Sequence, residues 1–559
     1  MGTKQSHIHK LDTVSKRVQF LAEEFPDREL FVFYEGEKRD SYTAKLLLQL
    51  AGKFAYRLRH QYGFKRNDII ANSLPNSPER LITDLGIILA GCTAMNVSIL
   101  LADGSDFFRS AKNSRCGGVV LRPEEGAAAW RLVKQYVTKE RGDGAADLSY
   151  GEVPDLHLAI YATRNTTGTS GHFLEDLRAS NEEVFVEPNI VPDDLLYIFA
   201  TSGSTGYSKL IPRTHFEIID LWVPIYNMNL ENHVLYSDRS LGWAGGFPFG
   251  TYCNGDKRVL LDWFDGHGAR GGEDMWRAIT KDQCTFAVIL PLDFDNLHKY
   301  ILNSGDSDYK LKILATGGQP VKRNQIGNML TVAEQVMLAY GSTEALYISY
   351  ALLKDTNVED FLCGKPFSGM SVRIVNESGQ NCKPRETGTV HLKGKTVFKG
   401  FFNRLENPDP NTAKSFTKDG WFDTEDVGYY DESENIYILG RTKDTIIHGI
   451  AVLYPGWLEA KILTHPDILD ACVVPVTDPV LYHNICACVK VAEGSGLTEQ
   501  KLKQFCEKIF LSDLEYESTP MPKYFVIMDN FPKTFTGKPD KRVLTAMAEE
   551  KFGYKESKP

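Results

Sequence analysis

The sequence predicts an α/β protein: a large N-terminal domain of doubly wound mixed or parallel sheets with helices, followed by a small C-terminal α+β lid domain. Three observations point there. A chain of 559 residues exceeds the size at which a single core stops growing, so at least two domains are expected. The unbroken apolar run from Leu195 to Ala200 fits a strand buried on both faces, as in a parallel sheet. Asp68 to Ala71, Ser77 to Gly91 and Thr93 to Val97 read as strand, helix and strand, a βαβ unit.

The elements follow in chain order. Leu46, Leu47, Leu50, Ala51, Phe54, Ala55 and Leu58 recur at helical spacing and mark an amphipathic helix within residues 41 to 64. The helix of the βαβ unit begins near Asn76, and Gly117 to Leu121 is a further strand. From about Glu140 to Gly171 the chain is polar and glycine-rich, which predicts loop. After Leu195 to Ala200, the next strands are Leu311 to Ala315 and Val336 to Ala339. In the last 115 or so residues, strand-like runs at Ala471 to Pro475, Cys486 to Val491 and Tyr524 to Met528 alternate with helices from Thr498 to Phe510 and after Pro539. That alternation predicts the compact C-terminal domain.

Composition bounds the function. The formal net charge of −10 leaves no basic footprint for holding nucleic-acid phosphates. Ten cysteines lie without CxxC pairs, and Cys486 and Cys488 have neither metal-finger spacing nor His partners, so reduced thiols of a cytoplasmic protein are expected. No apolar stretch approaches the ~20 residues that span a bilayer, and the N-terminus lacks a secretory core. The start MGTKQS fits the pattern for myristoylation at Gly2, which would give weak membrane association; an unmodified polar tail is the alternative.

The chemistry concentrates where strands end. After Ala200 the chain reads TSGSTGYSKLIPRTH. Gly203 and Gly206 let backbone approach a ligand, while N–H groups and the hydroxyls of Thr201, Ser202, Ser204 and Thr205 can donate to phosphate oxygens. Lys209 supplies compensating charge. The spacing is not GxxxxGK[ST], which argues against a Walker-type NTPase. Two glycines, Gly317 and Gly318, follow the strand at Leu311 and suit close approach to a flat ligand or a plain turn. The strand at Val336 ends in YGSTEA, where Thr343 can hydrogen-bond a phosphate or carboxylate oxygen and Glu344 offers a hard oxygen ligand for Mg²⁺.

TSGSTGYSK resembles the signature loop of the adenylate-forming superfamily: acyl-CoA synthetases, aryl-acid AMP ligases, peptide-synthetase adenylation domains and firefly-type luciferases. Matches extend from about residue 68 to residue 542. The resemblance implies ATP and AMP binding by Thr201, Ser202, Gly203, Ser204, Thr205, Gly206 and Lys209; by Gly317, Gly318 and Gln319 against adenine; and by Tyr340, Gly341 and Ser342. Thr343 and Glu344 take catalytic roles by the same likeness, with Glu344 on the metal. Residues 420 to 444 resemble the ribose-gripping segment, in which Asp426 accepts from the ribose hydroxyls, Arg441 bridges ribose and phosphate, and Asp444 is the hinge. Glu425 stands where the family usually has Gly, leaving Asp423 as a fallback for the ribose contact. The string PKTFTGK resembles a further signature of the family, which implies that Lys538 is the catalytic lysine: a compact ammonium that can neutralise charge as an acyl oxygen attacks phosphorus. The implied domains are 1 to 440, a hinge at 441 to 444, and a lid at 445 to 559.

Two segments bear on substrate and acceptor. SLGWAGGFPFGTYCNG, from Ser240 to Gly255, resembles the GWxxG form of acetyl-CoA and medium-chain synthetases and makes Trp243, Gly246 and Phe247 the acyl-pocket candidates; core packing is the other reading. KLIPRTH instead resembles aryl-acid ligases. Gly449, Tyr454, Pro455 and Glu459 match the loop that lines the CoA channel, although Ile450, Ala451 and Val452 depart from it. The function implied is ATP-dependent formation of an acyl-AMP and transfer to a thiol, with coenzyme A as co-substrate. Transfer to a carrier protein and a luciferase-type oxygenation are the alternatives.

Overall fold

A computed structural model describes residues 8–553 except 98–102, 165–170, 202–207, 227–232, 238, 266–270, 306–307, 320, 322, 449–450, 511–520 and 535–537. The chain divides into two compact units, one of Met1–Thr356, Gly364–Ser371 and Leu392–Phe422, the other of Asn357–Cys363, Val372–His391 and Asp423–Pro559.

The βαβ unit forms as its sequence predicts. Ile69–Asn72 and Thr93–Asn96 pair in parallel, Ile70 opposite Ala94. Between them runs the helix Pro78–Leu89; the Ser77 hydroxyl caps it by accepting from the Arg80 N–H at 3.1 Å, and Pro78 occupies the first turn. Every residue of that helix is buried. Around this unit lies an eight-stranded sheet in the order 209–214, 195–201, 93–96, 69–72, 118–121, 158–161, 145–148, 137–140. Its five middle strands are parallel and both of its margins are antiparallel. The chain leaves Ile69–Asn72 first to one side and then to the other, the reversal that opens a crevice at the carboxyl ends of strands.

One expectation is overturned here. The polar stretch from Glu140 to Gly171 is not simply loop: Ala145–Leu148 and Leu158–Tyr161 extend the sheet, the latter parallel to Gly118–Leu121. Four-residue strands set between glycines and prolines are too short for a period to register, and their pairing partners supply the order. The amphipathic helix is also shorter than predicted, Ala44–Tyr56, because Lys38–Thr43 is a strand; a π-helical turn, Arg57–Gln61, then extends it.

A second run of strands in the first unit follows the order 346–353, 333–342, 311–317, 286–288, 234–237, 257–261, 29–35, 38–43. It is parallel from Ala333–Ser342 through Glu29–Glu35 and antiparallel at both ends. One continuous apolar core, including Phe31, Leu50, Phe54, Leu85, Phe199 and Leu260, draws on both sheets and on the helices between them.

In the second unit, Ile446–His448, Ala451–Leu453, Ile468–Asp478, Tyr482–Val491 and Tyr524–Ile527 form a five-stranded sheet. One face packs Val473, Ile485 and Ala487 with Leu458, Leu502 and Phe510; the other packs Cys472, Cys486 and Cys488 with Leu544 and Ala548. The fold is therefore the α/β class with a smaller α+β unit. All ten cysteines are free thiols, and no described helix is long and apolar enough to cross a membrane.

Candidate active site

The strand that runs into TSGSTGYSK is Leu195–Thr201, buried through its centre and paired antiparallel with Lys209–Thr214, Thr201 opposite Lys209. Ser202, Gly203, Ser204, Thr205 and Gly206 lie outside the described residues. The Lys209 ammonium sits 4.8 Å from the centre of the Phe401 ring, a cation–π contact that holds the charge at the strand's start. His215 is buried and its Nδ1 accepts the Val14 N–H at 3.2 Å; burial pushes its pKa down to about 4, so it is a neutral structural residue.

Gly317–Gln319 and Tyr340–Glu344 are brought together. Leu311–Gly317 and Ala333–Ser342 are parallel neighbours with Gly317 opposite Ala339, so both loops leave at the same sheet edge. A Cβ on Gly317 would stand 2.1 Å from the Ala339 carbonyl oxygen, and Gly318 has φ +76°, so side chains are excluded twice over. Gly341 is equally constrained, since a Cβ there would stand 2.2 Å from the Leu346 oxygen. Thr343 and Glu344 form the turn of a hairpin with Leu346–Leu353, closed by the Ala345 N–H donating to the Ser342 hydroxyl at 3.2 Å.

The arginine of KLIPRTH, which the sequence assigns no role, joins these pieces. Arg213, fully buried, donates to the carbonyls of Thr343 at 2.9 Å, Glu344 at 2.8 Å and Thr396 at 2.8 Å. Burial lowers its pKa to about 10, opposed by Glu217 and Glu344. No periodicity marks such a residue; the available signal was an arginine directly after the apolar run Leu210, Ile211 and Pro212.

Among the acyl-pocket candidates, Trp243 is half-buried on a tight turn whose carbonyl accepts from the N–H groups of Gly246 and Phe247, both at 2.8 Å. A Cβ on Gly246 would stand 1.9 Å from the Ser240 oxygen. Phe247 is buried among Tyr197, Phe199, Phe249 and Tyr252, and Phe249 is buried beside it. Phe247 thus packs within the core, whereas Trp243 keeps part of its surface exposed.

In the second unit, Asp426 and Arg441 face each other across antiparallel strands, and the Arg441 Nε donates to the Asp426 carboxylate at 2.7 Å. Arg441 Nη1 also donates to the Thr424 carbonyl at 3.2 Å. Asp426 is 5% exposed, whereas the fallback Asp423 has a side chain 38% exposed, so burial and pairing favour Asp426. Glu425 between them is exposed, with φ +59°. That conformation suits glycine, so Glu425→Gly is expected to stabilise the protein by about 0.5–1 kcal/mol. Denaturant unfolding of the variant checks it, and an unchanged or lowered midpoint would contradict it.

The Lys538 carbonyl accepts from the Thr534 N–H at 2.7 Å and the Thr534 hydroxyl at 3.2 Å, closing the loop in which the lysine sits; Phe535, Thr536 and Gly537 lie outside the described residues. Although its side chain retains accessible surface, the surrounding protein desolvates the ammonium and lowers its pKa; Arg441 adds to this and Asp426 opposes it. Asp444 ends the short 3₁₀ turn Thr442–Asp444. Glu459 accepts from the Val473 N–H at 2.9 Å and pairs with Lys541 at 3.1 Å, a structural role in the small sheet. Gly449 and Ile450 lie outside the described residues.

Comparison with known proteins identifies the family. Residues 18–402 match the family model for AMP-binding enzymes, and residues 458–538 match that for the AMP-binding enzyme C-terminal domain. The chain is 26% identical to an oxalate–CoA ligase of Arabidopsis thaliana over 95% of this chain and 98% of that protein. It is 29% identical to the mitochondrial medium-chain acyl-CoA ligase of Homo sapiens over 98% of this chain and 89% of that one. Among solved structures, ATP-bound MatB from Rhodopseudomonas palustris superposes with a TM-score of 0.76 at 20% identity, covering 96% and 99% of the two chains. The o-succinylbenzoate CoA synthetase of Bacillus subtilis with its acyl-adenylate intermediate gives 0.74 at 20% identity, covering 94% and 97%.

Proposed function

We propose, from the premise that this chain belongs to the AMP-binding enzyme family, that it is an acyl-CoA synthetase: it converts a carboxylic acid to an acyl-AMP and passes the acyl group to coenzyme A. The observation that carries the reading is the convergence of Gly317–Gln319, Tyr340–Glu344 and the Lys209–Thr214 strand at one place in the first unit. The relatives, being CoA ligases, support the thiol acceptor.

In the first step a carboxylate oxygen attacks the α-phosphorus of ATP and the bond to pyrophosphate breaks. Lys209 and the hydroxyls of Thr201, Ser202, Ser204 and Thr205 hold phosphates, Thr343 donates to an oxygen, Asp426 takes the ribose hydroxyls, and Arg441 bridges ribose and phosphate. Lys538 offsets the charge that grows on the α-phosphate and carboxylate. Mg²⁺ would neutralise the phosphates, and Glu344 fits it. Among the described residues no group of three or more His, Cys, Asp or Glu could hold a metal alone, and one carboxylate plus phosphate oxygens is the donor set this ion takes. In the second step the thiol sulfur attacks the acyl carbon, the bond to AMP oxygen breaks, and the thiol proton leaves to solvent.

We place the large domain at 1 to 440, the hinge at 441 to 444 about Asp444, and the lid at 445 to 559, with Gly449 on the CoA side. Ten free thiols fit a reducing compartment, and the cytoplasm is our assignment. Trp243 with Gly246 shapes the acyl pocket, so Trp243→Ala is expected to shift kcat/KM toward larger acids; an unchanged order of preference would remove Trp243 from the pocket. The adenylation step itself is tested by acid-dependent exchange of labelled pyrophosphate into ATP. Exchange with at least one acid supports it, and no exchange with short, medium, long and aromatic acids would overturn it.

A further inference from the structure

We propose that Arg213 is a positioning residue for the metal-binding turn, its guanidinium fastening the backbone at Thr343 and Glu344 so that the Glu344 carboxylate stays directed for Mg²⁺-ATP. The inference rests on the metal role given to Glu344 above. Lys209, Ile211 and Arg213 alternate onto one face of the strand Lys209–Thr214, so one strand carries the phosphate lysine at its start and this clamp near its end.

The clamp is an expensive way to fill space. Arg213 is 0% exposed, and its guanidinium donates to the three backbone carbonyls of Thr343, Glu344 and Thr396. Exchanging a buried charge for a well-packed hydrophobic side chain is often neutral or stabilising, so packing alone does not call for arginine at this position. What a planar fork supplies and an apolar residue cannot is direction: Nη2 takes two successive carbonyls and fixes both peptide planes. The Phe398 N–H adds a second donor to the Glu344 carbonyl at 2.7 Å. The turn needs holding, because it closes on Leu346 at φ +61°, a conformation that costs a branched side chain about 1 kcal/mol or more. The charged side chains facing Arg213 are Glu217, on the following helix, and Glu344 itself.

The test compares Arg213→Lys, which keeps the charge and loses the fork, with Arg213→Met, which loses both. Amide hydrogen exchange over residues 340–348 is read without ligand, and the Mg²⁺ dependence of ATP–pyrophosphate exchange is read with the best acid. Faster amide exchange in the turn is expected, together with a Mg²⁺ requirement raised about tenfold in Arg213→Met and less in Arg213→Lys, the scale seen when groups that orient a metal ligand are removed. The KM for the acid is expected to move less than about twofold, a split that simple loss of packing would not produce. If either variant is folded and shows wild-type amide exchange at the turn, or wild-type Mg²⁺ dependence, the proposal is overturned. Should Arg213→Met fail to fold, Arg213→Lys decides by the same two readouts. Wild-type protein inactive with every acid would overturn the acyl-adenylate reading and the metal role with it, whereas the amide exchange reports on the fastening alone.

Discussion

Lys538→Ala is expected to slow acyl-adenylate formation by roughly 10²–10³-fold, the scale on which a single preorganised charge stabilises a transition state. Transfer of the acyl group from preformed acyl-AMP to the thiol is expected to be nearly unaffected, because the thiol attacks the acyl carbon and no bond forms or breaks at phosphorus. Rapid-quench measurement of the two half-reactions separates them; equal losses in both, or in neither, would contradict the role. The lysine's surroundings add a pH signature. Desolvation and Arg441 hold its folded-state pKa below the ordinary 10.5, so adenylation, which uses the ammonium, should begin to fall at lower pH than a free lysine would dictate. The sign for stability is opposite. Between the lowered folded value and 10.5 the unfolded chain binds the proton and the folded chain does not, so stability from this group rises with pH across that window.

Asp426→Asn is the second large effect. Asp426 is buried, and its carboxylate is directed by the 2.7 Å bond from Arg441, so asparagine keeps the shape but removes the charge that pairs with the guanidinium and that the proposed mechanism uses to accept from ribose. Hydrogen bonds to a charged group contribute about 1.5–3 kcal/mol, which corresponds to a rise in KM for ATP of roughly 10- to 100-fold. The KM for the acid should change little. Steady-state kinetics with each substrate varied in turn checks this. An unchanged KM for ATP would move the ribose contact to another residue, with Asp423 the first to examine.

Periodicity and punctuation carried much of the fold. The apolar run at Leu195, the capped helix after Ser77 and the alternation in the C-terminal unit each have one dominant local cause, burial on two faces, an N-cap or a repeated strand–helix pattern, and each appears within a few residues of its expected bounds. Ala145–Leu148 and Leu158–Tyr161 escaped because a four-residue strand has its reason in the neighbour it pairs with, not in its own composition. The loops at Gly317 and Tyr340 could be named separately, yet their adjacency depends on the parallel register of two strands, which no local pattern encodes. Glu425 was visible as an exception; only its φ of +59° explains why glycine suits that position. Arg213 is the clearest gap. Its partners are backbone carbonyls 130 to 183 residues away, and a backbone acceptor leaves no mark on the identity of the residue that carries it. Phe247 shows the converse case, an aromatic side chain that motif assigns to a pocket and that packs among core aromatics.

The central claim is that a carboxylic acid is adenylated and then transferred to coenzyme A. It is tested most directly by following AMP and pyrophosphate from purified protein with Mg²⁺ and ATP across short-, medium- and long-chain fatty acids, oxalate and benzoates, each with and without CoA. The expected result is multiple turnovers that require CoA and produce AMP, pyrophosphate and the acyl-CoA in equal amounts, with one class of acid preferred. A single burst of pyrophosphate that CoA does not extend would contradict the CoA step and redirect the acyl group to a carrier-protein thiol or to oxygen.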